Sequence, residues 1–210
     1  MKVKKTIFYF LMFFPIFITL VFYEYLPKIT AAHYNIEGVA DRYGSRMESF
    51  ILPVVIIAFS CILILFNRKM DKTSLDHNIT LEIVSLLTFN ILCLYDLYGD
   101  LSGVFNLRAM PIQLFNLAYI LVGFAFIVDG NLLPKSNRHP ITGFIRVETL
   151  PNGNRKKIRK VSSIFEISIG ILFLVIGILT KFSNMTYFLL FNGLCVFLLI
   201  GFILIEGHYS

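Results

Sequence analysis

His33, Glu37 and Asp41 stand four residues apart in the segment AAHYNIEGVADRYGS, residues 31–45. On a helix this spacing would align an imidazole and two carboxylates on one face, a donor set for zinc or another first-row ion. Leu26-Pro27 just before the segment, and Gly38 and Gly44 within it, oppose a continuous helix. The same residues read better as a turn-rich loop whose polar side chains bond one another and the backbone. A second set, Glu82, Asn90 and Asp96, lies inside a long apolar run. There it would serve either a proton or ion path or hydrogen bonds between helices. Glu82, Glu166 and Glu206 fall toward one end of their runs and Asp96 toward the other, where a side chain reaches polar surroundings at little cost. Only Asn90 and Asn116 are deep, and neither titrates, so interhelical hydrogen bonding carries more weight. The four histidines, at 33, 77, 139 and 208, are scattered. The chain has no HExxH, GxSxG, P-loop, dinucleotide fingerprint or CxxC pair. An enzyme is not expected, nor is a cofactor or a metal centre.

The elements that must position these residues follow from composition. Of 210 residues, 57% are hydrophobic and 15% charged, and the mean hydropathy is +0.76. A soluble domain carries roughly 25% charged residues, so hydrocarbon is the expected solvent. Six apolar windows are long enough to cross ~30 Å of it: about 6–26, 50–66, 79–98, 112–129, 164–180 and 186–205. They leave almost no chain for a separate soluble domain. The first window follows Lys2, Lys4 and Lys5 like a signal peptide, but its length, Pro15 and its aromatics favour a retained anchor. Fourteen Lys and Arg fall before window 1, between windows 2 and 3 and between windows 4 and 5; five fall on the alternate side. The positive-inside rule then puts both termini and residues 130–163 in the cytoplasm, and residues 27–49 outside. That asymmetry accounts for the net charge of +6 without nucleic acid as a partner. The expected fold is an all-α integral membrane protein, a bundle of six transmembrane helices.

Three connecting segments add detail. The outer loop, 27–49, is longer than most bundle connections, and Gly38 and Gly44 supply two turns. Residues 66–78 form a charged turn in which Asp76 or Asn78 caps the third helix. In 130–163, Asn152-Gly153 after the alternating FIRVETL predicts a small cytoplasmic β-hairpin. The following Arg155, Lys156, Lys157, Arg159 and Lys160 would face anionic membrane lipids at ~1 kcal/mol per charge. Ser163 and Glu166 have capping-box spacing for the fifth helix. Pro15 should bend the first helix. Gly170 and Gly177, with Gly193 and Gly201, suit close helix packing.

LPKITAAHYNIEGVADRYGSR (26–46), followed by Pro53, resembles a bacterial membrane domain of unknown function whose pattern is Leu-Pro, His-aromatic-Asn, Gly, Asp and Ser-basic. GNLLPKSNRHPITGF, with Thr149-Leu150, looks like the cytoplasmic segment of the SdpI immunity-protein family, in which both segments occur in this order. The family's Trp is absent here, Val147 stands for its Pro, and Arg146 falls one place later than in the pattern. The resemblance implies a multi-pass protein of the bacterial plasma membrane that protects against a secreted, membrane-active toxin peptide and holds a transcriptional repressor at the membrane. Carried over, Leu26, Pro27, His33, Asn35, Gly38, Asp41 and Ser45 would form the toxin-facing outer signature. Gly130, Asn131, Asn137, Gly143, Arg146, Thr149 and Leu150 would form the inner one. A small transporter or ion pathway using Glu82, Asn90 and Asp96, and a membrane scaffold without ligand, remain as alternatives.

Overall fold

A computed structural model describes the backbone of residues 2–35, 37–67, 72–135 and 152–179, and the side chains there except those of 72–77, 135, 152–155 and 158. The chain divides into two compact units, Met1–Gln113 and Leu114–Ser210. The first contains α1 (Lys2–Phe22), β1 (Ile29–Tyr34), β2 (Ala40–Ser45), α2 (Ile51–Asn67) and α3 (Lys72–Leu101). The second contains α4 (Leu114–Leu132) and α5 (Asn152–Leu179). Five helices among the described residues are long and apolar enough to cross a membrane, the pattern of a multi-pass membrane protein. Only 22% to 39% of each apolar stretch is buried inside the protein. The remaining apolar surface far exceeds the patches that water tolerates on a monomer, whereas hydrocarbon covers it at no cost. The sixth expected window, 186–205, lies outside the described residues, as do Gly193 and Gly201.

In the first unit, α1 buries Phe8, Leu11, Met12, Pro15 and Thr19, which recur at three- and four-residue spacing along one face. That face meets Ile56 of α2 and Leu86 and Cys93 of α3 in a common core. Pro15 has no amide hydrogen, so the carbonyl of Leu11, four residues earlier, loses its helical donor. The Asn90 side chain of α3 fills this gap: its Nδ2 donates to Leu11 O at 3.0 Å and to Leu86 O at 2.7 Å. Asn90 is thus a hydrogen bond between helices, in the role its depth predicted.

α3 is longer than its apolar window because helix begins at Lys72. Asn78 therefore lies inside the helix and is not its cap, and Asp76 is likewise internal. The other end of α3 closes with Gly103 at φ 62°, Val104 N donating to Gly99 O at 3.0 Å and Gly103 N to Asp100 O at 3.1 Å. This paired closure satisfies the last carbonyls and turns the chain sharply.

Between α1 and α2 the chain folds into a two-stranded antiparallel hairpin, β1 with β2. The small sheet therefore lies in the 27–49 segment, not at Asn152-Gly153 as the turn chemistry predicted. Asn152 and Gly153 instead begin α5. Asparagine is also a favoured residue at helix starts. A helix already nucleated by the apolar stretch extends outward through Arg155–Lys160 more easily than an isolated hairpin forms. The FIRVETL stretch lies outside the described residues. Ser163, expected as a cap, is eleven positions into this helix and its hydroxyl donates to Gly130 O at 2.6 Å.

The described residues of the second unit form an α4–α5 pair in close contact. A Cβ on Gly170 would sit 2.7 Å from Gly123 O and 2.9 Å from Ile127 N, so glycine is what allows the two backbones to approach. Two turns along, Asn116 Nδ2 donates to Gly177 O at 2.8 Å. The Phe173 ring packs edge-on against Tyr119 and Phe126.

Two stability outcomes follow. Asn90→Leu strands the Leu11 carbonyl and should cost about 1–3 kcal/mol. Adding Pro15→Ala restores a backbone donor, so the double variant should lose less than the sum of the singles in a denaturation cycle. Gly170→Ala should lower stability by about 1–3 kcal/mol, because the obstacle is backbone rather than a movable side chain. Unfolding in detergent, followed by circular dichroism, measures both.

Candidate functional site

The hairpin gathers most of the polar residues singled out in the sequence. Asn35 organises its turn: its Oδ1 accepts from Glu37 N and Val39 N, both at 3.0 Å, while Gly38 N donates to Asn35 O at 2.9 Å. Gly38 has φ 79°, a conformation that side chains resist, so glycine is required there. Gly44, expected at a second turn, lies in β2 with no positive φ. Its value is space, since a Cβ would meet the Glu48 carboxylate, which is thereby free to pair with Arg42 at 3.1 Å.

Bulges separate Ala31 from His33 and His33 from Tyr34 in the register, leaving Ala32 and Asp41 as the extra residues of their strands. Arg42 Nη2 donates to the Ala32 carbonyl at 3.1 Å, and His33 Nδ1 lies 2.6 Å from Asp41 Oδ1. His33 and Asp41 are therefore brought together across strands rather than along a helix. Glu37 sits in the turn, where its backbone amide donates to Asn35, and no group of three metal-binding side chains occurs among the described residues. Leu26 is buried in extended conformation just before Pro27, as a residue preceding proline should be. Ser45 is exposed and makes no capping bond.

The hairpin is tied to the helix ends on several sides. Beyond α3, Ala40 N donates to Phe105 O and Leu107 N to Gly38 O, each at 2.8 Å, so residues 105–107 cover the β2 edge near the turn. Tyr34 OH donates to Val104 O at 3.2 Å, and the Tyr43 and Phe105 rings pack edge-on. On the other flank the Arg46 guanidinium lies 4.3 Å over the Tyr23 ring and reaches Glu24 at 3.7 Å. Ser49, buried at the approach to α2, donates to Asp100 Oδ2 at 2.6 Å, a short bond strengthened by the carboxylate charge.

Beneath the hairpin is a cavity of about 250 Å³. Thr30 and Tyr34 of β1, Glu48 and Ser49 of the following turn, and Asp96 and Asp100 of α3 supply its polar wall; Leu52 and Val55 of α2 supply an apolar one. Burial, with the negative charges of Asp96 and Asp100 beside it, pushes the Tyr34 hydroxyl up to about 12. The hairpin surface adds exposed apolar groups: Ile29, Tyr43, Met47 and Phe105. The arrangement is an acid-lined recess with an apolar wall from α2, beneath a hairpin region that carries exposed apolar groups, suited to a group that is cationic at one point and greasy around it. Sequence reasoning missed Tyr34, Arg46, Ser49, Asp100 and the 104–107 strap, because each acts through a contact far along the chain. Asp96 was found, but as part of an intramembrane set.

That set is divided in the fold. Glu82 Oε2 accepts from Asn67 Nδ2 at 2.9 Å at the far end of α3, Asn90 serves the Leu11 carbonyl, and Asp96 lines the cavity. In the inner signature, Gly130 is buried against α5 and Asn131 is exposed at the end of α4. Asn137, Gly143, Arg146, Thr149 and Leu150 lie outside the described residues.

The raised Tyr34 ionisation gives a signed pH effect. A hydroxyl held neutral in the fold contributes stability below its ordinary value of 10.0, and this is lost as pH rises through about 12. Tyr34→Phe should flatten the alkaline fall in melting temperature across that window and remove one late-ionising phenol from the ultraviolet titration.

Residues 10–57 match the model of a domain of unknown function, DUF1648. No curated protein and no solved structure matches the chain. The matched stretch holds most of α1, the whole hairpin and the first turns of α2. What this chain has in common with that domain is therefore the hairpin and the two helices that carry it.

Proposed function

We propose that the protein is an immunity and signalling protein of the SdpI type in a bacterial plasma membrane, with the hairpin outside and both termini in the cytoplasm. In this reading the hairpin and the recess beneath it engage a secreted, cationic, membrane-active peptide. One observation carries it: an acid-lined recess sits beneath a hairpin region with exposed apolar side chains, held to the ends of α1, α2 and α3. A cationic amphipathic peptide has the complementary parts, a basic side chain for Asp96, Asp100 and Glu48 and an apolar face for Tyr43 and Phe105. The domain matched over residues 10–57 occurs in SdpI-like membrane proteins, which agrees with the resemblance of the outer polar segment. The excess of Lys and Arg on the alternate loops supports the sidedness. Occupancy would be felt inside only to the extent that the peptide binds one packing of the helices better than another. A repressor partner belongs to the same proposal through the 130–150 segment.

The test is survival. A toxin-sensitive bacterium expressing the full chain should outlive empty-vector cells when challenged with at least one of a panel of cationic membrane-active peptides. Asp96→Asn and Tyr43→Ser should each weaken binding to the purified protein about tenfold, ~1.4 kcal/mol. Glu82→Gln, at the other end of α3, should leave it unchanged. If cells carrying the intact chain die as fast as the controls with every peptide, the proposal is wrong. If Glu82→Gln instead abolishes a pH-dependent flux, the ion-pathway alternative takes its place.

A further inference from the structure

We infer that the α4–α5 unit holds a headgroup site for an anionic phospholipid, in which Lys156, Arg159 and Lys160 grip the phosphate. An open cleft of about 560 Å³ is lined by these three residues with Pro134, Ser163 and Ile164. The volume falls in the ~300–1,000 Å³ range of small-ligand sites. The positions 156, 159, 160 and 163 recur at three and four residues, so continuous helix puts them on one side of α5. Lys157, equally basic and exposed, does not line the cleft. The basic run is thus sorted by the helix into residues that converge and one that does not, a distinction absent from its composition.

The position favours a lipid over a soluble anion. The apolar stretch of α4 ends at Leu132 and that of α5 begins at Arg159, so the cleft lies where two candidate spans leave hydrocarbon, at the depth of lipid phosphates. Ile164, one turn beyond Lys160, is exposed and lines the same cleft, offering an apolar contact to the glycerol and first methylenes. Arginine meets a phosphate with two parallel hydrogen bonds and the lysines add compact charge. Among the described residues, the carboxylates of this unit, Asp129 and Glu166, are buried and do not line the cleft. Zwitterionic lipid shares the phosphate but cancels its charge, so an anionic headgroup is the better occupant. The site rests on α4 and α5 spanning a bilayer and is independent of peptide binding.

The full chain is inserted into nanodiscs of phosphatidylcholine containing a minority of phosphatidylglycerol, and the retained lipids are counted by native mass spectrometry after mild extraction. The intact protein should retain phosphatidylglycerol preferentially. Lys156→Gln with Lys160→Gln, and Arg159→Gln alone, should reduce that preference about tenfold. Lys157→Gln should not. Lys156→Arg with Lys160→Arg should keep the preference, which guards against a loss caused by misfolding. Added inorganic phosphate should not displace the lipid. The inference is overturned if Lys157→Gln costs as much as the cleft variants, if inorganic phosphate displaces the lipid, or if the preference survives all substitutions. Failure of the chain to insert at all would overturn the membrane reading and this site together, whereas insertion without preference overturns the site alone.

Discussion

The Leu11 carbonyl has no amide of its own helix to meet it, and the first unit is built around the way this is resolved. Pro15 removes the donor, and Asn90 reaches from α3 to replace it. A buried carbonyl left unpaired costs about 1–3 kcal/mol, so this bond, being directional, ties α1 to α3 at one register. The consequence reaches the hairpin. It leaves the end of α1 and is stapled to the end of α3 by the Ser49–Asp100 bond and the 104–107 strap. Its height over the recess is set by two helices that Asn90 holds in step.

The hairpin itself obeys the same demand for paired backbone. A two-stranded hairpin alone is marginal in water. Here Asn35 satisfies the turn amides, 105–107 cover part of an edge, and Arg46 pins the exit from β2 on the Tyr23 ring. The paired backbone leaves Asp96, Asp100 and Glu48 around one recess, where the surrounding apolar wall strengthens their attraction for a cation. Fixing these carboxylates in place makes the recess a preformed acidic surface.

The α4–α5 unit solves its pairing differently, by bringing backbones together. Gly123 and Gly170 let two helices approach until Asn116 and Ser163 can reach carbonyls across the interface. The contact continues beyond the apolar stretch, so α5 leaves it as unbroken helix. That continuity turns a basic stretch of sequence into a one-sided basic cleft.

Hydropathy alone foretold where the five apolar helices described fall, because a run of twenty apolar residues has few other solvents; the sixth window lies outside the described residues. Local chemistry likewise foretold the break at Leu26-Pro27, the turn at Gly38, the interhelical role of Asn90 and the close packing at Gly170 and Gly177. Only the tertiary structure decided that residues 29–45 pair as strands, since an alternation interrupted by two bulges has no clean period. Only it decided that Asn152-Gly153 starts a helix, because a turn dipeptide is ambiguous until its flanks have partners. The recess was invisible for the same reason: Tyr34, Ser49, Asp100 and Val104 are ordinary residues in sequence, and their meaning lies in contacts that span fifty or more positions.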